Sequence, residues 1–148
     1  MSLKERLQQD WKDALKGKEK FKANVISMAK AAVLHAEKTD GSSLDDEQIV
    51  EILAKEVKQR KDAIEEFKKG NRQDLVDDTE KEIQILMNYL PQQLTQEEIF
   101  KIIKASADEV GANSIKDMGK LMSAVMPKFK GRADGKLVNK IVKEYLSR

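Results

Sequence analysis

Apolar residues recur at the spacing of an α-helix along the whole chain, and this regularity constrains the fold more than any other feature. Side chains three and four positions apart share one face of a helix, so each such run predicts an amphipathic helix with a buried face. Aromatic residues make up 5% of the chain, with two prolines and seven glycines, which leaves little material for strands and tight turns. The sequence therefore predicts an all-α protein.

The apolar pattern divides into seven predicted helices. They cover about residues 3–15, 19–37, 44–69, 73–89, 96–110 and 115–126, and a last helix that begins at 135. Pro127 is expected just after the sixth helix, and residues 128–133 are expected to form a loop. The residues expected to face inward include Leu15, Phe21, Met28, Met118, Met122 and Met126.

A domain boundary is predicted near Pro91. This proline prevents the fourth helix from continuing, and a new helix start follows, because Thr95 and Glu98 have the spacing of a capping box. We expect an N-terminal bundle of about four helices over residues 1–92, followed by a small three-helix module over residues 93–148.

Several chemistries are excluded by residue counts. The chain has no cysteine, which excludes disulfides, thiolate nucleophiles and iron–sulfur clusters. His35 is the single histidine, so a site with several histidine ligands cannot form. We expect no metal, no cofactor and no catalytic site in this chain, and we expect His35 to be structural. No apolar run is long enough to cross a membrane and no signal-peptide core follows Met1, so we expect a cytoplasmic protein without a membrane partner.

Positive charge is concentrated in the last quarter of the chain. Residues 112–148 carry nine lysines and arginines against three acidic residues, whereas the whole chain has a net charge of +2. Gly131 and Gly135 flank Arg132 and would let a phosphate come close, next to a helix start that favours anions. The alternative is an ordinary solvated lysine face. The candidate RNA-binding residues are Lys120, Lys128, Lys130, Gly131, Arg132, Lys136 and Lys140.

Arg60 lies within the apolar stripe of the third predicted helix. If the third and fourth helices form an antiparallel hairpin that turns near Gly70, Arg60 comes level with Glu82 on the inner face of the fourth. The pattern predicts a half-buried ion pair between these two residues. The alternative is an Arg60 that extends its charged end into water. Either role is structural rather than catalytic.

Five short segments resemble the YqeY family, in the same order along the chain. The resemblance covers nearly the whole chain and implies an N-terminal helical bundle followed by a three-helix module. The segments are residues 60–65 (RKDAIE), 72–75 (RQDL), 89–94 (YLPQQL), 117–120 (DMGK) and 130–138 (KGRADGKLV).

The part of the chain from about Pro91 onward also resembles the tail domain of GatB, a subunit of the glutamine-dependent amidotransferase that converts Glu-tRNA(Gln) to Gln-tRNA(Gln). In that carbon–nitrogen ligase the tail domain helps to hold the tRNA, and the reactions occur in other domains. The resemblance implies a tRNA-binding accessory module that acts near tRNA-dependent amidation, with tRNA and a protein of that process as partners. The alternative is an adaptor whose basic module docks on an acidic protein without RNA contact.

Overall fold

The computed structural model describes residues 1–148. It contains seven α-helices, one 3-10 turn at Ile115–Asp117 and no strand, which confirms the all-α prediction. The chain divides into two compact units, Met1–Leu90 and Pro91–Arg148. None of the helices combines the length and the apolar character that crossing a membrane requires. The helices are α1 (Leu3–Lys16), α2 (Lys20–Asp40), α3 (Asp46–Lys69), α4 (Gln73–Met87), α5 (Gln96–Val110), α6 (Met118–Phe129) and α7 (Gly135–Leu146).

The first unit is built around α2. Helix α1 packs on α2, α3 packs on α4, and α2 contacts α1, α3 and α4. The core consists of aliphatic side chains from all four helices, which the helical spacing places on inward faces. Its fully buried members include Leu7, Ile26, Ile49, Leu53, Val76 and Leu86.

The residues just after α4 close the first unit onto α1. The buried Tyr89 donates a hydrogen bond from its hydroxyl to Asp10 Oδ2 at 2.5 Å. The guanidinium of Arg6 lies over the Tyr89 ring at 4.7 Å and donates to the carbonyl of Asn88 at 2.8 Å. Together these contacts join residues about eighty positions apart in the chain.

The second unit has a separate core. Helices α5, α6 and α7 pack pairwise against each other. Helix α5 begins with the predicted capping box, in which the Thr95 hydroxyl accepts from the Glu98 N–H at 3.1 Å. It ends at Gly111, whose φ of +71° is a conformation that glycine adopts without strain. The fully buried core residues include Ile99, Ile103, Leu121, Val125, Phe129, Val138 and Val142.

The sequence placed the end of α6 too early. Pro127 lies inside the last turn of the helix, and Phe129, expected in a loop, is helical and buried. A proline has a φ that fits a helix, and burying an aromatic ring in the core stabilises the extra turn. Met118 and Met122 pack against this core as partly buried side chains, whereas Met126 is exposed, so its inward assignment was wrong.

Three apolar residues of α1 and α2 are also less buried than their spacing predicted. Leu15, Phe21 and Met28 are exposed. Helix α2 is covered by α1, α3 and α4, but its remaining side has no neighbour within the first unit. Helical spacing shows which apolar side chains share a face of a helix. It does not establish that another helix of the same unit covers that face.

Candidate nucleic-acid interface

The basic segment between α6 and α7 forms a tight turn. Lys130 follows the last residue of α6, and Gly131 has a φ of +69°, in the left-handed region where a side chain would be strained. The N–H groups of Arg132 and Ala133 both donate to the carbonyl of Phe129. The side chains of Lys130 and Arg132 are exposed, so the turn presents two cations to solvent.

Two residues that precede α5 fix this turn. The Leu94 N–H donates to the Arg132 carbonyl at 2.9 Å, and the Gln93 side-chain amide donates to the Gly131 carbonyl at 2.7 Å. The turn is therefore fixed by hydrogen bonds to two of its backbone carbonyls. Sequence reasoning missed the role of Gln93 and Leu94, because nothing in their spacing indicates a partner nearly forty residues away.

Helix α7 continues the basic surface. Lys136 and Lys140 are exposed, on the side of the helix opposite the buried Val138 and Val142. At 1.5 Å per residue, the two lysines lie about 6 Å apart along the axis. Asp134 caps the helix by accepting from the Lys136 N–H at 3.0 Å, so this donor is already occupied.

Lys128 makes two polar contacts within the second unit. Its ammonium group donates to the hydroxyl of Ser106 at 2.8 Å and lies 3.6 Å from Glu109 Oε2. Ser106 is fully buried on α5. The lysine thus connects α6 to α5, and these contacts reduce its availability for a phosphate.

Lys120 lies in the first turn of α6, close to an acidic residue. The pKa of Asp117 is lowered, chiefly by a hydrogen bond from the Asn113 N–H and to a lesser extent by the charge of Lys120. Lys120 is exposed, and its charge is partly balanced by this carboxylate.

The candidate residues form a band rather than one pocket. Helices α6 and α7 are antiparallel, since Gly135 at the start of α7 lies near Met126 at the end of α6, and the 3-10 turn before α6 contacts α7. Lys120 is therefore at the opposite end of this hairpin from Arg132, roughly 15 Å along the axis of α6. Such a band suits several successive phosphates better than a single anion.

The remaining predicted residues belong to the first unit. Arg60 on α3 lies 3.8 Å from Glu82 on α4, measured from Nε to Oε2, and 2.9 Å from Glu56 on its own helix, measured from a terminal nitrogen. His35 is exposed on α2. No group of three or more histidine, cysteine, aspartate or glutamate side chains is arranged to hold a metal ion.

Comparison with known proteins matches nearly the whole chain to one protein family. A family model described as Yqey-like protein matches residues 4–146. A protein of Pyrenophora tritici-repentis, named altered inheritance of mitochondria protein 41, mitochondrial, is 32% identical over 144 residues, which is 94% of this chain and 78% of that relative.

Two further relatives match about half of the chain. A protein of the same name from Lachancea thermotolerans is 38% identical over 87 residues, covering 58% of this chain and 46% of the relative. An uncharacterized protein from Schizosaccharomyces pombe is 32% identical over 80 residues, covering 54% of this chain and 65% of the relative.

Proposed function

The chain belongs to the YqeY family, and on this basis we propose that its three-helix C-terminal module, residues 93–148, binds structured RNA of the tRNA class through phosphate groups. The observation that carries the proposal is the band of exposed cations on the α6–α7 turn and on α7. Lys130, Arg132, Lys136 and Lys140 are all exposed there.

The geometry of the turn supports this assignment. Gln93 and Leu94 hold the backbone at Gly131 and Arg132 before any ligand arrives, so binding requires little further ordering of the backbone. Lysine and arginine side chains set affinity and position on a nucleic acid without reading its bases.

The aromatic residues of the second unit favour structured RNA over single strands. Binding to single strands usually depends on bases stacked on exposed aromatic rings. Phe129 is buried, and Phe100 and Tyr145 are partly buried and pack edge to face with centroids 5.8 Å apart. Recognition through phosphates and the shape of a folded RNA requires no such rings.

The resemblance of the C-terminal residues to the tail domain of GatB suggests a biological role. In this proposal the chain holds a tRNA for a separate enzyme of tRNA-dependent amidation and performs no chemistry itself. The cytoplasmic location expected from the sequence remains a prediction, and the names of two of the relatives include the word mitochondrial.

A gel-shift titration of the full chain with tRNA at two salt concentrations tests this function. We expect wild-type binding that weakens steeply with salt, and a large loss of affinity in the triple variant Lys130→Ala, Arg132→Ala, Lys136→Ala. The matched control is Lys58→Ala, Lys61→Ala, Lys68→Ala, which removes three exposed cations from α3 and should bind like the wild type.

Two outcomes would contradict the proposal. One is the absence of wild-type binding at low salt, and the other is equal binding by both triple variants. Either result would favour the adaptor function, in which the same basic surface meets an acidic protein. Capture of a protein rather than tRNA by the wild type, lost in the first triple variant, would identify that alternative.

A further inference from the structure

A cavity of about 570 Å³ lies between α1 and α2 in the first unit. Its lining includes the apolar side chains of Trp11, Ala31, Val33 and Leu34. Sites for small molecules are typically concave, mostly apolar and roughly 300–1,000 Å³ in volume. This cavity, which we call the α1–α2 groove, therefore has the size and the lining of a ligand site.

One end of the α1–α2 groove carries an internal ion pair. The Lys4 ammonium donates to both carboxylate oxygens of Glu37, each at 2.9 Å, and Glu37 also accepts from the Leu44 N–H at 3.1 Å. The hydrogen bond from Lys4, and to a lesser extent that from Leu44, lowers the pKa of Glu37. Glu5 lines the same end and is exposed. This end is therefore compensated to slightly acidic and offers no free cation to a ligand.

The other end of the groove carries a cation without an acidic partner. The Lys30 ammonium lies 4.2 Å from the centre of the Trp11 ring, and none of the ion pairs of the first unit includes Lys30. Between Ala23 and Ala36 it is the single formally charged residue. Ser27 lies three positions earlier, hence on the same face of α2, and its side chain lines the same groove. The ammonium and this hydroxyl together form a place for an anion.

Apolar surface lies between the two ends. Lys30 and Glu37 are seven residues apart on α2, so the ends of the groove are separated by about 10 Å. Leu34 lies between them, and it is 52% exposed although it lines the groove. Covering this leucine and the Trp11 ring with a hydrocarbon chain removes apolar surface from water, which is favourable. A ligand along the groove thus meets a cation at one end and apolar side chains beside it.

We propose that the α1–α2 groove binds a small organic acid with an apolar body, of the class of the medium-chain carboxylates. The carboxylate pairs with Lys30 and accepts from the Ser27 hydroxyl, while the chain lies along Trp11 and Leu34. An ammonium group has three N–H donors, so Lys30 can hold an anion and keep its contact with the ring. A cation of the same shape is repelled by Lys30. The groove involves none of the candidate RNA-binding residues, so this proposal is independent of RNA binding.

Fluorescence of Trp11 tests the proposal, because it is the single tryptophan of the chain and lines the groove. The full chain is titrated with octanoate, octanol and octylammonium, each below the concentration at which it forms micelles. We expect a saturable change with octanoate and a Kd roughly fivefold lower than that for octanol, a factor at the upper end of the range for exposed ion pairs. Octylammonium should bind more weakly than octanol.

Substitutions at Lys30 and Leu34 separate the contribution of charge from that of apolar contact. Lys30→Gln should raise the Kd for octanoate roughly fivefold and leave that for octanol unchanged, whereas Lys30→Arg should retain the preference for the anion. Leu34→Ser should weaken both ligands alike, because it removes apolar surface from the groove. The matched control is Lys38→Gln, which removes an exposed cation of the same helix outside the groove and should bind like the wild type.

Isothermal titration calorimetry gives the same affinities without the fluorophore, which is needed because loss of the Lys30 ammonium also alters the surroundings of Trp11. Circular dichroism verifies the helix content of each variant. Three results would overturn the proposal. The first is the absence of saturable octanoate binding by either method. The second is octylammonium that binds as tightly as octanoate. The third is an octanoate Kd that Lys30→Gln leaves unchanged.

Discussion

Arg60 and Glu82 face each other across α3 and α4, yet the Arg60 Nε at 3.8 Å from the carboxylate has no hydrogen-bond partner. The shorter contact of Arg60 is with Glu56, at 2.9 Å, where a terminal nitrogen makes a hydrogen bond. The side chain of Arg60 is 14% exposed, and that of Glu82 is 22% exposed. Glu82 therefore contributes mainly charge, and Glu56 contributes charge and a hydrogen bond.

Removal of the Arg60 side chain should destabilise the first unit. We expect Arg60→Ala to lower the free energy of unfolding by about 2–3 kcal/mol, somewhat less than the roughly 3–5 kcal/mol typical of a fully buried pair. Glu56→Gln should cost more than Glu82→Gln, because it weakens a direct hydrogen bond. Urea denaturation measures these differences, and Lys69→Ala at an exposed ion pair should cost less than about 1 kcal/mol.

Tyr89 should make the stability of the first unit sensitive to alkaline pH. Burial raises the pKa of Tyr89 above its usual value of 10.0, and the hydrogen bond to Asp10 raises it further. The unfolded chain therefore loses the phenolic proton before the folded chain does. The stabilisation is fully present below about pH 10 and is lost as the pH rises from there towards the higher pKa of the folded state.

Denaturation of the wild type and of Tyr89→Phe at pH 9 and pH 11 tests this expectation (both values chosen to lie about one unit from the usual tyrosine pKa). The wild type should lose more stability between these pH values than the variant. An equal loss in the two proteins would contradict the assignment. Ultraviolet titration in a Tyr145→Phe background provides a direct check, because Tyr89 is then the single tyrosine.

Lys128 and Lys140 should behave differently in RNA binding. Lys140→Ala should reduce the log–log salt slope of binding by roughly 0.7–0.9, the change expected for one lost phosphate contact. Lys128→Ala should leave the slope unchanged and instead lower stability by about 1 kcal/mol, since it removes the partner of the buried Ser106 hydroxyl. Equal slopes for the two variants would show that the internal contacts of Lys128 do not withhold it from RNA.

The predicted C-terminal module should fold alone. The core of the second unit consists of residues from that unit, so a fragment of residues 93–148 should be helical and unfold cooperatively on heating. A fragment of residues 95–148 lacks Gln93 and Leu94 and should be less stable by roughly 1–3 kcal/mol, on the basis of two lost hydrogen bonds. A longer fragment that melts no higher than the shorter one would contradict this role of the two residues.

Local signals in the sequence were sufficient to place most helix ends. The capping box at Thr95 and the stop at Gly111 depend on neighbouring residues alone, and both were read correctly. The end of α6 was misjudged because burial of Phe129 in the core outweighed the local effect of Pro127. The burial of Phe129 depends on residues that are distant in the chain, and the periodicity of the sequence does not identify them.

The candidate interface was less predictable than the helices. Counting lysines located the basic segment, but it did not reveal that Lys128 is bound to Ser106. The support that Gln93 provides to the turn depends on three-dimensional proximity. Which side of α2 is left uncovered depends likewise on the packing of three other helices.

The closure of the first unit by Arg6 and Tyr89 has a consequence for the order of folding during synthesis. Helix α1 leaves the ribosome first, but its contacts with Asn88 and Tyr89 cannot form until all of α4 has emerged. Contacts between residues so far apart in the chain require a large loop to close, which slows folding. We expect α1 to be loosely packed in nascent chains that end before Asn88. The protease resistance of this helix should therefore rise only after Tyr89 has emerged from the ribosome.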